Sequence, residues 1–318
     1  MSTKALAITK AQELTAQDSV RPIIDLVLDG LTSEHSKRAY ERALVDFLAW
    51  HAEQGRPPLS KALVQRYKVE LQRDGLAPST VNLRLSAIRK LAREAADNGL
   101  VDQTLANGIK AVKGVKSAGV RSGNWLTRDQ AQELLNTPDV STLKGLRDRA
   151  ILAVLIGCGL RRSEAAALTF DHVAQREGRW VVIDLVGKGN RTRTVPMPSW
   201  AKAAIDEWTA AVAVVADPMD SGRIFRRIHK GGYVNGDKMS AQAVADVVRE
   251  YAEVCGFENL AAHDLRRTFA KLAHKGGAGL DQIQLSLGHA SIKTTERYLG
   301  TEQDLVSAPC DVLGLRLD

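Results

Sequence analysis

Residues 113–124 (KGVKSAGVRSGN) form a run of small and basic residues that divides the 318-residue chain into two parts of different character. Such a composition is typical of a flexible linker. Each flanking part is long enough to bury a core of its own. We therefore predict a flexible N-terminus at 1–15, a first domain at 16–112, a linker at 113–124 and a second domain at 125–318, with a C-terminal tail at 304–318.

The first part has helical periodicity over most of its length. Apolar residues at Val81, Leu85, Ile88 and Leu91 lie on one face of a helix that opens at Pro78 and ends at Asn98-Gly99. Similar patterns predict helices over 20–30, from residue 33 or 34 to the break at 55–58, over 61–71, and a short one through 109. This spacing predicts an all-helical domain.

The second part mixes helices with β-branched runs. Thr127 and Gln130 have capping-box spacing, and the segments 180–186 and 192–195 read as strands joined by a turn at Gly187-Lys188-Gly189. Further helices are predicted at 127–136, 144–158, near 162, 199–214, 241–255, 263–275, 281–287 and 291–299. The expected fold class is mainly α with a small antiparallel β-sheet, in which an all-helical N-terminal domain precedes a mixed α/β domain.

The chain carries 44 Lys and Arg against 37 Asp and Glu, a net charge of +7 and a pI near 9.3. Residues 1–120 hold 18 basic and 13 acidic residues, so most of the excess lies in the front third. This balance favours a polyanionic partner, although a solvated helix face would give the same composition. We recognise no signal peptide and no apolar run long enough to span a bilayer, so we expect a cytoplasmic protein with no membrane partner. Cys158, Cys255 and Cys310 are isolated and have neither metal-ligand nor redox spacing.

Six side chains in the second part could together attack a phosphodiester. That reaction requires neutralised phosphate oxygens, a deprotonated nucleophile and a protonated leaving group. Arg161 in GCGLRRSE and Arg266 in HDLRRTFA carry guanidinium groups that match phosphate geometry, and no carboxylate cluster suited to Mg²⁺ is apparent. Taken singly, Arg161 could simply pair with Glu164, and Arg266 could be a surface residue. Glu164 could alternatively orient Arg161 or a histidine.

The other four residues supply proton transfer and the nucleophile. Lys188 in the GKG turn could protonate the leaving oxygen, His263 could accept the Tyr298 proton, and His289 in LGH could donate a hydrogen bond to phosphate. A phenol with an ordinary pKa of about 10 needs nearby positive charge to ionise. Each residue also has an ordinary structural explanation. The lysine could be a solvent-exposed residue of a turn, a histidine could cap a helix or lie in the core, and the tyrosine could be a packing aromatic. Six such explanations would have to coincide in the right order, so we favour the joint functional interpretation.

These motifs, in this order, resemble those of the tyrosine site-specific recombinases (the phage integrase family), in the Xer-like two-domain type. The resemblance is strong over 125–300 and looser in the front domain, where Ser36 to Tyr40 and Trp50 look like core-binding helices. It implies that Tyr298 is the nucleophile of a 3′-phosphotyrosyl intermediate and that Arg161 and Arg266 clamp the scissile phosphate. Lys188 resembles the general acid, His263 the acid/base group and His289 a further phosphate donor.

The resemblance also implies the partners. We expect a clamp around double-stranded DNA with inverted-repeat core sites, a homotetramer on DNA, a Holliday-junction intermediate, and neither metal, ATP nor another cofactor. Accessory proteins are a further option, and the tail could dock in cis or on a neighbouring subunit. The biological role could be integration, excision, or resolution of a plasmid, chromosome dimer or mobile element, and the place of action would be the nucleoid.

Two departures and three alternatives accompany this interpretation. Arg267 stands where relatives commonly have histidine, and the front of the chain is too short for a substantial arm-binding domain. The alternatives are a topoisomerase of the same chemistry without strand exchange, a non-catalytic DNA-binding protein, and a metal-dependent nuclease using His263 and His289.

For DNA reading by the second and fourth helices, the candidates are Arg38, Arg42, Arg84, Arg89 and Lys90.

Overall fold

The computed structural model describes residues 17–116, 124–187, 192–215 and 221–299, and the chain divides into two compact units, Met1–Val120 and Arg121–Asp318. The described part of the first unit is built from helices. They are α1 (Gln17–Asp29), α2 (Glu34–Glu53), α3 (Lys61–Arg73), α4 (Pro78–Asp97) and α5 (Gln103–Lys110). The predicted all-helical front domain is confirmed, although α1 begins a few residues earlier than its periodicity indicated.

The helices of the first unit begin where the sequence offers caps. The Ser60 hydroxyl accepts a hydrogen bond from the Leu63 N–H at 3.1 Å, and Pro78 occupies the first turn of α4, where a missing N–H costs nothing. The buried face of α4 packs against α1, α2 and α3. Val81, Leu85 and Ile88 are at most 1% exposed, as their helical spacing predicts.

The start of the expected linker packs on the first unit. The Asn82 side chain donates to the Val115 carbonyl at 2.9 Å and accepts from the Val115 N–H at 2.8 Å. Lys68 also donates to the Lys113 carbonyl. These contacts hold residues 113–115 beside α4, and residues 117–123 of the expected linker lie outside the described residues.

The second unit combines helices with short antiparallel strands. Its elements are α6 (Arg128–Asn136), α7 (Leu143–Gly157), α8 (Arg162–Ala167), a 3₁₀ turn (Phe170–His172), β1 (Val173–Arg176), β2 (Arg179–Val186), β3 (Thr192–Pro196), α9 (Ser199–Val215), β4 (Arg227–Ile228), β5 (Val234–Asn235), α10 (Ala241–Val254), α11 (Ala262–Lys275), α12 (Leu280–Leu287) and α13 (Ile292–Leu299). The strands form one sheet in the order β1-β2-β3, in which Val182 pairs with Val173 and Val195, and a two-stranded hairpin of β4 and β5.

The core of this unit surrounds α7, whose residues 150–156 are almost completely buried. Trp208 on α9 is fully buried beside it and donates its indole N–H to the Ile224 carbonyl at 2.9 Å. The predicted capping box of Thr127 and Gln130 is present at the start of α6. The predicted helices and the β2–β3 sheet are confirmed, whereas β1, β4 and β5 were missed.

A small separate cluster of buried apolar residues joins α11, α12 and α13. It consists of Ala270, Ile283, Leu287 and Leu299. His263 and Arg266 lie on α11, His289 follows the end of α12, and Tyr298 lies on α13, so this cluster fixes the backbones that carry these residues relative to one another. Over 17–116, 124–187, 192–215 and 221–299, no helix combines the length and hydropathy needed to cross a bilayer.

Candidate functional site

Arg161 and Glu164 form the centre of the candidate site at the start of α8. Arg161 is the N-cap residue, and its backbone N–H donates to Glu164 Oε2 at 2.8 Å. Its guanidinium Nη1 donates to Glu164 Oε1 at 2.6 Å, so both ends of the arginine bind the same carboxylate. The Arg161 side chain is 30% exposed, whereas that of Glu164 is 8% exposed. The pair predicted from sequence is therefore present, with the arginine on the solvent side.

Arg266 lies beneath this pair and is 1% exposed, so the surface interpretation considered for it is wrong. Its Nη1 donates to the Gly159 carbonyl at 2.6 Å, and its Nη2 donates to the Leu287 carbonyl. Gly159 has φ of +59°, and an added Cβ would lie 2.7 Å from the Phe269 ring. A residue with a side chain at position 159 would disturb the turn that presents this carbonyl. Arg266 thereby joins the turn before α8 to the end of α12.

Arg193 on β3 is a third arginine of this cluster that the sequence interpretation missed. Its Nη1 and Nη2 bind the two Glu164 oxygens at 2.9 and 2.8 Å, and its side chain is 8% exposed. Strand alternation was the signal that could have found it, because Arg193 falls on the same face as the buried Val195. An arginine on an inward face needs a buried partner, and Glu164 provides it.

The charges of the cluster determine the ionisation of Glu164. Burial acts to raise the pKa of this carboxyl, but hydrogen bonds from Arg193 and from the Arg161 backbone, with the two guanidinium charges, lower it to about 2. Glu164 is therefore ionised at neutral pH. Arg266 Nη1 lies 4.0 Å from Glu164 Oε2, so one carboxylate faces three guanidinium groups. The cluster retains an excess of positive charge, which suits a phosphate ligand.

His263 lies in the first turn of α11, one helical turn before Arg266. The residue is open to solvent over part of its surface. Burial of the rest of its ring, followed by the charges of Arg267 and Arg266, lowers the pKa of His263. Arg161 acts in the same direction. A lowered pKa favours the neutral imidazole, which is the form that can accept a proton.

His289 follows Gly288 at the end of α12, and its ring Nδ1 lies 3.0 Å from the Thr295 hydroxyl. Burial, followed by the charges of Arg266, Arg161 and His263, lowers the pKa of His289 to about 4. Thr295 is fully buried on α13, so this contact ties His289 to the helix that carries position 298. The sequence interpretation missed Thr295, and a lone threonine three residues before a tyrosine offered no signal for it.

Two of the six candidate side chains lie outside those that the structure describes. Lys188 lies outside the described residues, between β2 and β3, whose ends meet in the pairing of Val186 with Thr192. Tyr298 lies on α13, and its side chain is not among those described. The structure thus brings Arg161, Arg266, His263 and His289 together, and it positions the backbone that carries Tyr298.

A cleft of about 520 Å³ opens beside Arg161 and His263. Arg162 and Arg249 add two exposed guanidinium groups to its lining, and Gln242 adds an amide. The cleft therefore places the exposed members of the cluster in a basic depression on the surface of the second unit.

The five candidate DNA-reading residues of the first unit fall into two groups. Arg38 and Arg42 are exposed on α2 at a spacing of four residues, which puts them on one face. Arg84 is held by Asp46 at 2.6 Å and by the Tyr67 hydroxyl at 2.9 Å.

Arg89 donates to the Val112 carbonyl, and Lys90 contacts Glu94 at 3.2 Å. Arg89 and Lys90 nevertheless line a cleft of about 530 Å³ that also includes Arg93 and Lys110. The first unit therefore offers two basic surfaces, one on α2 and one between α4 and α5.

Both units resemble known proteins. Residues 124–304 match the family model described as "Phage integrase family", and residues 23–114 match the one described as "Phage integrase, N-terminal SAM-like domain". A tyrosine recombinase XerC from Pelobacter propionicus is 33% identical over 278 residues, covering 86% of each chain. A tyrosine recombinase XerC from Xylella fastidiosa is 30% identical over 270 residues, covering 84% of this chain and 86% of the relative.

Solved structures agree with the fold. A lambda integrase dimer bound to a COC′ core site superposes with a TM-score of 0.67 at 15% identity, covering 91% of this chain and 97% of the other. The XerH site-specific recombinase in a post-cleavage complex with palindromic difH superposes with a TM-score of 0.65 at 18% identity, covering 84% and 76%. At these identities the likeness concerns the fold alone. The names of the two XerC relatives favour recombination over the topoisomerase alternative.

Proposed function

Because the chain belongs to the phage integrase family, whose members include the tyrosine recombinases, we propose that it recombines DNA at specific sites through a covalent phosphotyrosine intermediate formed by Tyr298. The observation that carries this proposal is the cluster of Arg161, Arg193 and Arg266 around the ionised carboxylate of Glu164, with His289 close enough to these arginines for their charges to lower its pKa. Arg161 is about one third exposed beside a basic cleft, and the pKa of Glu164 is about 2. An arginine held by a carboxylate and open on its other edge is oriented to bind a phosphate oxygen.

In the proposed first step, the Tyr298 oxygen attacks the scissile phosphorus, so that a P–O bond to tyrosine forms and the bond to the 5′ oxygen breaks. His263 accepts the phenol proton, and Lys188 protonates the departing 5′ oxygen. A 5′-hydroxyl from the partner duplex then attacks the phosphotyrosine and restores Tyr298. The phosphodiester energy is conserved in the covalent bond, so each strand is exchanged without ATP and a Holliday junction connects the two rounds.

The arginines and histidines have distinct parts in this step. Arg161 contacts the phosphate directly, while Arg266 adds positive charge from below and holds the carbonyls of Gly159 and Leu287. Such preorganised charge acts where negative charge develops in the transition state. The lowered pKa of His263 keeps its ring neutral at pH 7, as a proton acceptor must be. The pKa of His289, about 4, leaves this ring neutral too, so one nitrogen can accept from Thr295 while the other donates to phosphate.

The proposed substrate is double-stranded DNA with inverted-repeat core sites, which both units contact and four copies of the chain bind. Arg38 and Arg42 form one candidate surface for base or phosphate contacts, and Arg89 and Lys90 form another. Arg84 acts mainly through its ion pair with Asp46, which orients it at the surface. The tail at 304–318 lies outside the described residues; docking on a neighbouring subunit would make tetramer assembly depend on it. Accessory proteins would act on the same DNA complex, at the nucleoid.

The test is exchange between two marked duplexes in EDTA. Candidate sites would be drawn from DNA flanking the gene and from a random pool enriched by binding. Recombinant duplexes together with SDS-resistant adducts are the expected result. Relaxation of supercoils without exchange would support the topoisomerase alternative instead, binding without cleavage would support the non-catalytic alternative, and loss of cleavage in EDTA would support the nuclease.

A further inference from the structure

Arg193 makes more contacts inside the cluster than a simple salt bridge requires. Besides the two bonds to Glu164, its Nε donates to the Ser286 carbonyl at 2.9 Å. One buried guanidinium thus binds both oxygens of a carboxylate on α8 and a backbone carbonyl on α12. Because a guanidinium is planar and rigid, three such bonds fix the distance between the two helices.

The end of α12 is shaped to fit against Arg193. Gly288 has φ of +61° and ends α12 in the left-handed conformation. At this point the backbone lies directly against the Arg193 side chain. An added Cβ at position 288 would lie 2.8 Å from Arg193 Cδ. The next residue is His289, so the backbone that presents this histidine is seated on Arg193.

Arg193 also affects the charge balance of Glu164. A carboxylate has about four lone-pair sites, and Arg193 fills one on each oxygen while Arg161 fills the others from its side chain and its backbone. Without Arg193 two of these sites would be empty, and the negative charge of the carboxylate would be shared by Arg161 and Arg266 alone. Both guanidinium groups would then be drawn more strongly to Glu164 and would interact less with a phosphate.

We propose that Arg193 is a positioning residue for the cleavage step. It holds Glu164 and the turn before His289 so that Arg161, Arg266 and His289 are oriented toward the scissile phosphate, and so that the two arginines retain their positive charge for it. This inference rests on the proposed function, because it concerns the rate of phosphotyrosine formation.

The experiment measures three quantities for Arg193→Gln, Arg193→Lys, Glu164→Gln and the double variant. They are the single-turnover rate of covalent adduct formation on a nicked suicide duplex, the Kd for the same DNA, and the midpoint of denaturant unfolding. Arg147→Gln is the matched control, because Arg147 is 6% exposed and binds Asp148 Oδ1 through Nε and Nη2 at 2.8 and 2.6 Å. Arg147→Gln removes an ion pair that is buried as deeply as the one between Arg193 and Glu164. Its acidic member, Asp148, lies on α7 in the core of the same unit.

For Arg193→Gln we expect adduct formation to slow by about 10- to 100-fold, by analogy with the outer partners that orient metal ligands. The Kd should change little, since other contacts bind the DNA. The rate of adduct formation for Arg193→Lys should lie between those of the wild type and Arg193→Gln, because lysine keeps the charge but loses the bidentate fork. Adding Glu164→Gln to Arg193→Gln should raise the rate above that of Arg193→Gln alone, because the carboxylate charge that draws Arg161 and Arg266 away from the phosphate is removed. Arg147→Gln should lower the unfolding midpoint without changing the rate for the folded protein.

Three results would overturn the inference. The first is Arg193→Gln cleaving as fast as the wild type, and the second is a double variant that cleaves no faster than Arg193→Gln. The third is an equal rate loss in Arg147→Gln, which would mark a general effect of stability. If the wild type itself forms no adduct on DNA that it binds, the proposed function fails, and this outcome is distinct from all three.

Discussion

Replacing Glu164 with glutamine should destabilise the second unit in a pH-dependent way. Folding lowers the pKa of Glu164 from its ordinary value of 4.5 to about 2. Because one pKa unit corresponds to about 1.4 kcal/mol, the ionised carboxylate contributes about 3 kcal/mol to folding at pH 7. The side chain is 8% exposed, so solvent screens little of this contribution. Glutamine keeps the shape but removes the charge, and it leaves Arg193 buried without an anionic partner.

The sign of the pH dependence follows from the lowered pKa. The stabilisation is fully present above the unfolded-state pKa of 4.5 and is lost as the pH falls through about 2. At pH 3 only about two fifths of it should remain, so the difference in unfolding free energy between wild type and Glu164→Gln should narrow by about 2 kcal/mol between pH 7 and pH 3.

Denaturant unfolding followed by tryptophan fluorescence would measure this difference. Tryptophans at positions 125, 180, 200 and 208 lie in the second unit, and one at position 50 lies in the first, so the signal reports mainly the second unit. Glu207→Gln is the matched control, because Glu207 pairs with Arg149 but is 52% exposed. Glu207→Gln should lower the free energy of unfolding by less than about 1 kcal/mol. A difference for Glu164→Gln that stays constant from pH 7 to pH 3, or that equals the control, would refute the reasoning.

Four further predictions concern the side chains of His289, Thr295 and Cys158. With a pKa of about 4, His289 should stay neutral and show no imidazole titration by NMR between pH 6 and pH 8, and a transition inside that range would contradict its lowered pKa. His289→Ala should slow adduct formation by about 100- to 1,000-fold, the usual cost of removing one donor from a developing oxyanion, and an unchanged rate would remove the residue from the mechanism. Thr295→Val should destabilise the second unit by about 1 kcal/mol and slow cleavage, because the His289 ring loses its hydroxyl partner, whereas Thr294→Val on the exposed side of α13 should do neither. Burial raises the pKa of Cys158 to about 12, so thiol reagents should modify this cysteine only after unfolding. Peptide mapping distinguishes it from Cys255 and Cys310, and rapid labelling of Cys158 in the native protein would contradict its buried position.

The helices were predictable because their signals are local. A capping serine or threonine, a run of apolar residues at helical spacing and a closing glycine occur within one segment, as at Ser60 or Thr127. The strands β1, β4 and β5 were missed because β1 has four residues and the other two have two each. Alternation cannot be counted over so few positions.

The site was predictable to the extent that its motifs are contiguous. Arg161 and Glu164 belong to one turn, and His263 and Arg266 belong to another. The role of Arg193 depends on contacts with Glu164 and Ser286, which are 29 and 93 residues away in sequence. Such contacts exist only after β3 and α12 have packed against α8. The inward arginine was visible in the alternation of β3, but its partner was not.

The most direct test of the central claim identifies the amino acid that becomes attached to DNA. Wild type and Tyr298→Phe would be incubated with a nicked suicide duplex in EDTA, and the adduct would be digested with nuclease and trypsin and examined by mass spectrometry. Cleavage after Arg297 gives a peptide that begins with Tyr298, and we predict that it carries the mass of a 3′-linked nucleotide in the wild type only. A nucleotide on any other residue, or an adduct of equal yield with Tyr298→Phe, would contradict the account.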